Sequence, residues 1–162
     1  MKIDHETSLF FDASVLVAGA HSPGGGSALL LAACKAGGFR AQTTVAVLPE
    51  SINALESFPG ESLRCLYRML VEIRWQFLPM PPAAVLSRYE RYVAGKDVHV
   101  LAAAVEGGSQ FLLTLDRRHL LAASAAVKQS ELPITVLRPG DFIQDWYPEH
   151  VDHPQLPAAR RL

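Results

Sequence analysis

With 162 residues, 49% of them hydrophobic and 19% charged, the chain has the length and apolar content of one folded domain, which excludes wholesale disorder. A formal net charge of −1 excludes a globally basic nucleic-acid binder but leaves room for a local basic rim around a site. No apolar run approaches the roughly 18 residues that span a bilayer, and Asp4, Glu6 and Asp12 interrupt the N-terminal region, so the chain is expected to be cytoplasmic, with neither a membrane span nor a signal peptide.

In chain order, Leu9-Phe10-Phe11 reads as a buried strand running into Asp12, and a second apolar run, residues 13–17, follows at once. A carboxylate between two apolar runs is costly to bury unless it is paired, hydrogen-bonded or bound to a metal. Residues 21–26 read as a loop, 27–35 as a helix ended by Gly37 and Gly38, and 39–43 as a second strand. Thr44 is placed to cap a helix reaching about Leu55. Pro49, welcome only near a helix start, moves the expected onset of regular helix to about Leu48.

Residues 61–75 carry Leu63, Leu66, Tyr67 and Leu70 at helical spacing, and 76–82 are extended and broken by proline. Residues 83–93 read as a helix that is basic on one side through Arg88 and Arg91. Asp97 then caps a helix with Val98, Leu101, Ala102 and Val105 at i, i+3, i+4 and i+7, stopped by Gly107 and Gly108. Residues 110–115 form a strand that runs straight into Asp116, residues 117–121 begin a short helix, 133–137 form the last strand, and 139–142 open a terminal helix. The domain is expected over residues 1–146, with 147–162 as a proline-containing appendage. Cys34 and Cys65 lie in apolar helical contexts and read as reduced core residues.

Strands alternating with helices imply an α/β fold with a parallel sheet covered on both faces. Ligands in such folds bind beyond the carboxyl ends of the strands, where strand order switches. Asp12 and Asp116 both fall at carboxyl ends, and Asp97 falls at a helix start on the same edge. Clustered carboxylates repel one another unless a hard divalent cation sits among them. Such a cation lowers the pKa of a bound water and polarises a phosphoryl oxygen, so the chemistry that fits is phosphate-ester hydrolysis. Each residue also has a plainer role. Asp12, Asp97 and Asp116 stand where aspartates cap turns and helices, and Glu50 stands where a solvated glutamate is ordinary. Capping leaves the second carboxylate oxygen free.

Asp12-Ala13-Ser14-Val15-Leu16-Val17 resembles the opening motif of PIN-domain ribonucleases, including the VapC-type toxins. Glu50 resembles the helix glutamate of that family, Asp97 to Ala104 its third acidic motif, and Phe111 to Leu120 its fourth. Residues 134–142 resemble its closing strand and helix start. The four motifs stand in the family's order and spacing, and the likeness covers roughly residues 9–143.

The resemblance implies a three-layer α/β/α sandwich and a metal-dependent endoribonuclease. Asp12, Glu50, Asp97 and Asp116 would hold one or two Mg²⁺ or Mn²⁺ ions, with Ser14 and Thr114 in support. It further implies RNA as substrate, a small antitoxin partner, and a homodimer or higher homo-oligomer. Ser14 stands where many relatives carry Asn, and Arg118 where some carry a further acid.

Arg88, Arg91, Lys96, Arg117 and Arg118 flank the acidic motifs and are the candidates for phosphate contacts. Tyr89 and Tyr92 are candidates for base stacking, with core packing expected for at least one. Gly24-Gly25-Gly26-Ser27 lacks the lysine and the glycine spacing of a phosphate loop. His150 and His153 are weak grounds for a soft metal, and His99 and His119 lie beside acidic motifs as candidates for proton transfer, with core or rim packing an equal expectation. The competing function is a catalytically weak or inactive module of the same fold that binds RNA or protein. A phosphotransferase using Asp12 as nucleophile is disfavoured, because Ser14 stands where a second aspartate belongs.

Overall fold

The computed structural model describes residues 1–158. Five short strands build one sheet: β1 (Ser8–Phe11), β2 (Arg40–Thr43), β3 (Trp75–Phe77), β4 (Phe111–Leu113) and β5 (Thr135–Leu137). Their order is β3-β2-β1-β4-β5 and every pairing is parallel. Parallel strands need crossovers, and among the described residues eight α-helices supply them and the closing segment: α1 (Ala13–His21), α2 (Gly26–Lys35), α3 (Val47–Leu55), α4 (Gly60–Glu72), α5 (Ala83–Leu86), α6 (Asp97–Glu106), α7 (Leu120–Gln129) and α8 (Pro139–Asp145). Helix α1 packs against α2, α3 and α4, and α5 against α6, the grouping that right-handed crossovers impose on an α/β/α fold. Helix α8 returns to pack on α2.

Leu9, Phe10, Phe11, Phe111, Leu112 and Leu113 are fully buried, as strands covered on both faces must be. Removing such a continuous apolar surface from water is the main stabilising term of the fold. Helix α6 contributes Leu101, Ala102 and Ala104 to the same core. It ends where Gly107 lets the backbone pass Leu78, since a Cβ there would come within 2.5 Å of the Leu78 side chain. Gly108 follows in the left-handed region with φ +76° and turns the chain into β4. Among the described residues no single helix is long and apolar enough to cross a membrane. Cys34 and Cys65 are both free thiols.

Several elements differ from expectation. The helix beginning near Glu61 stops at Glu72, and Trp75 belongs to the edge strand β3. The expected helix over 83–93 is only α5 followed by a 3₁₀ turn at Ser87–Tyr89. Pro49 lies in the first turn of α3, where its missing N–H costs nothing, and the helix continues through Glu50. The segment from Tyr147, read as an appendage, packs on the domain: Tyr147 and His150 are buried against Phe39, and the His150 ring meets the Gly38 carbonyl at 2.7 Å. The His153 ring packs edge-on against Tyr147, so these two histidines serve packing. The last four residues of the segment, 159–162, lie outside the described ones.

This packing carries a prediction. His150→Ala strands the buried Gly38 carbonyl and opens space beside Phe39, and it lowers unfolding stability by about 1–3 kcal/mol. Urea denaturation followed by circular dichroism measures it, and an unchanged midpoint would show that the segment is not part of the folded unit.

Candidate active site

The strand order reverses between β1 and β4, because the chain moves from β1 outward to β2 and β3 and then crosses back. This is the switch point at which α/β sheets open a crevice. Asp12 follows β1 there, and its backbone N–H extends the ladder to the Leu113 carbonyl at 3.1 Å. Asp116 follows β4, three residues beyond its end. Asp97 opens α6, and Glu50 lies in the first turn of α3. One cavity of about 460 Å³ is lined by Asp12, Ser14, Glu50, Lys96, Asp97, Asp116 and His119, with Ala13, Val17 and Ala54 as its apolar wall. Four acids far apart in the chain thus face one opening.

Their local roles differ from simple capping. Asp12 occupies the N-cap position of α1 but makes no side-chain capping bond. Its Oδ2 accepts instead from the Thr114 hydroxyl at 2.8 Å and the Ser14 hydroxyl at 2.9 Å. The same hydroxyls accept in turn: the Asp116 N–H donates to Thr114 Oγ1 at 3.1 Å, and the Leu115 N–H to Ser14 Oγ at 3.0 Å. A hydroxyl is both donor and acceptor, so these two side chains tie the ends of β1 and β4 together and fix one carboxylate of the site.

Asp97 was expected to cap α6. The helix starts at Asp97 itself, Lys96 takes the cap position, and no side chain caps it, so the Asp97 carboxylate is turned to the cavity. Asp116 closes the turn before α7 and also faces the cavity. Its Oδ1 accepts the backbone N–H groups of Arg118 at 3.1 Å and His119 at 3.3 Å, while its Oδ2 lies 3.2 Å from His119 Nδ1.

The electrostatics follow from burial. Asp12 and Asp97 are each only 6% exposed. Burial raises the Asp12 pKa, against the opposing hydrogen bonds from Thr114 and Ser14, and the Glu50 charge adds to the rise. Burial also raises the Asp97 pKa, and the neighbouring Asp116 charge raises it further, while His119 and Lys96 act in the opposite direction. Lys96 Nζ lies 2.7 Å from Glu50 Oε1, and this hydrogen bond raises the lysine's pKa.

Of the five basic residues expected to meet phosphates, only Lys96 lines the cavity, and it is engaged by Glu50. Arg88, Arg91, Arg117 and Arg118 are exposed and do not line it. Arg91 stacks over the Tyr92 ring and bonds its hydroxyl, whereas Tyr89 is buried with its hydroxyl on Glu106. Tyr89 is therefore a packing residue.

The sequence placed His119 only beside an acidic motif. The structure puts its ring between two acids, with Asp97 Oδ2 at 3.3 Å on the other side. One atom each from Asp97, Asp116 and His119 lie within 4.8 Å of one another, a donor set that fits a divalent cation. The i,i+3 spacing from Asp116 was the available signal for half of this contact.

No protein-family model matches the sequence, and no curated protein matches it at the sequence level. Solved structures do match. A chain of VapBC2 from Rickettsia felis, bound to a DNA fragment from their promoter, superposes with a TM-score of 0.55 at 10% identity, over 82% of this chain and 98% of that one. PAE2754 from Pyrobaculum aerophilum superposes with a TM-score of 0.57 at 19% identity, over 85% of this chain and 93% of that one. At such identities the likeness shows backbone architecture alone, and with the all-parallel sheet in the order β3-β2-β1-β4-β5 the chain has a PIN-like α/β/α fold.

Proposed function

We propose that the protein is a metal-dependent endoribonuclease acting as the toxin of a toxin–antitoxin pair. The observation that carries this reading is the meeting of Asp12, Glu50, Asp97 and Asp116 at one cavity beside the sheet's switch point. Buried carboxylates with raised pKa values and too few cationic partners form an environment that a divalent cation relieves. Bound by these acids, one or two Mg²⁺ or Mn²⁺ ions supply an activated water and charge neutralisation at a phosphodiester.

The chain's own residues do the rest. Ser14 and Thr114 hold the Asp12 carboxylate in one orientation, so little reorganisation is needed when substrate arrives. Arg117 and Arg118, exposed just beyond Asp116, are placed to meet RNA phosphates, and Arg88 and Arg91 extend the basic surface. An antitoxin partner, a homo-oligomeric state and a cytoplasmic location belong to the same proposal. The VapBC2 likeness supports the antitoxin part.

Incubating the full chain with mixed RNAs and Mg²⁺ or Mn²⁺ tests the chemistry. Fragments with 5′-phosphate and 3′-hydroxyl ends are expected, and a chelator is expected to stop their formation. Cleavage that ignores the chelator would rule out the metal-dependent reading. A second reading, a catalytically weak module that binds RNA or protein, draws on the Lys96–Glu50 ion pair, which already neutralises one of the four acids. It calls for RNA binding insensitive to chelators and no metal uptake in calorimetry.

A further inference from the structure

His119 is the cavity residue that the family resemblance leaves without a role. Its Nδ1 stands 3.2 Å from Asp116 Oδ2 and 3.3 Å from Asp97 Oδ2. A ring nitrogen carries at most one proton, so a single N–H cannot fully serve two carboxylates. Both separations also exceed the about 2.7–2.9 Å of a charge-assisted N–H to carboxylate bond. With all three ligand atoms within 4.8 Å of one another, the set also suits donors around one ion. Two donors at right angles, each about 2.1 Å from an octahedral ion, lie about 3.0 Å apart.

The position is also fixed. The His119 N–H is bound to Asp116 Oδ1, and its carbonyl accepts the Ala123 N–H at 3.0 Å, so the residue is anchored on both sides of its Cα at the start of α7.

We propose that His119 Nδ1 is a direct ligand of the divalent cation, beside one oxygen each from Asp97 and Asp116, and that this nitrogen selects Mn²⁺ over Mg²⁺. The inference rests on the metal-dependent reading above and deepens it. Ligation needs the neutral ring with its proton on Nε2 and the Nδ1 lone pair turned to the ion. Mg²⁺ is a hard cation that prefers oxygen and keeps its waters, whereas affinity for mixed nitrogen and oxygen sites rises along the transition series from Mn²⁺ onward. The selectivity of this site therefore departs from that of an all-carboxylate one.

Pulsed electron paramagnetic resonance of the full chain loaded with Mn²⁺ reads the contact directly. A coupling from a directly bound ¹⁴N is expected in the wild type and is expected to vanish in His119→Leu. Calorimetry with each metal gives the second readout. The variant should lose about 10-fold or more in Mn²⁺ affinity and much less in Mg²⁺ affinity. His119 is half-exposed, so the substitution does not open the core. Mn²⁺ bound without nitrogen coupling, or equal losses for both metals in the variant, would overturn the assignment while leaving the nuclease reading intact. Failure of the wild type to take up either metal would remove both.

Discussion

Asp12→Asn is expected to reduce metal-dependent RNA hydrolysis by about 10³-fold or more while leaving the fold in place. Asparagine has the shape of aspartate, and its carbonyl oxygen can accept the same Thr114 and Ser14 hydroxyls that now bond Oδ2. The link between the ends of β1 and β4 therefore survives. What is lost is the negative charge at the switch point. A bound cation contributes several kcal/mol of transition-state stabilisation, and about 4 kcal/mol corresponds to a factor of 10³ in rate. Single-turnover cleavage at saturating Mn²⁺, with circular dichroism as the control for folding, measures the effect. A variant cleaving within tenfold of the wild type would show that the Asp12 carboxylate is not part of the chemistry, and the grouping of four acids would lose its functional meaning.

Asp12 and Asp116 could be read from the sequence because each follows a largely apolar run. A strand buried on both faces has no alternation to mark its orientation, so the carboxylate at its end is the signal that the chain has reached the edge of the sheet. Asp97 was legible as a helix start on the same rim, with capping and ligation both open, since a cap and a ligand look alike in one dimension. The structure separates them: Asp97 is the first residue of α6 and caps nothing.

The Lys96–Glu50 pair spans 46 residues and joins two crossovers. No local pattern encodes it. The contact between His119 and Asp97 likewise depends on α6 and the β4–α7 turn converging on one edge, and only the i,i+3 half with Asp116 was within reach of sequence spacing.

The misread elements have related causes. Helical spacing extends from α4 to Trp75, but Trp75 pairs with Ala41 at the sheet edge and its ring meets Phe11 edge-on at 5.6 Å, so sheet pairing and aromatic packing set its conformation. Residues 83–93 have good helix formers, yet the Tyr89 ring is buried and its hydroxyl reaches Glu106 on α6. Those tertiary contacts outweigh the few tenths of a kcal/mol per residue that separate ordinary helix propensities. The segment from Tyr147 is rich in proline and lacks a period, which concealed how firmly two aromatic rings dock it on Phe39.

Asp97→Asn is expected to make the metal-free protein more stable at neutral pH, the reverse of what deleting a useful contact does. Burial, followed by the adjacent Asp116 charge, holds the Asp97 pKa above its ordinary value of 3.8. A carboxyl whose folded pKa lies above its unfolded one binds its proton more tightly in the folded state. Its ionisation therefore costs stability, a cost absent below the unfolded pKa and complete once pH has risen through the folded one. Asparagine removes that charge. The thermal midpoint without metal should rise by about 2–4 °C at pH 7, the shift expected for on the order of 1 kcal/mol in a chain of this size, and the gap between variant and wild type should close in acid. Divalent cation should then raise the wild-type midpoint and do little for the variant, because ligand binding stabilises only the form that binds it. Scanning calorimetry across pH, with and without Mn²⁺, reads all of these effects. A variant no more stable than the wild type at pH 7 would mean that Asp97 is already compensated within the protein, and the site would carry no unmet charge for a cation to satisfy. The stability given up at Asp97 is then the cost of keeping a carboxylate ready for its ligand, as sites built for function rather than for folding commonly do.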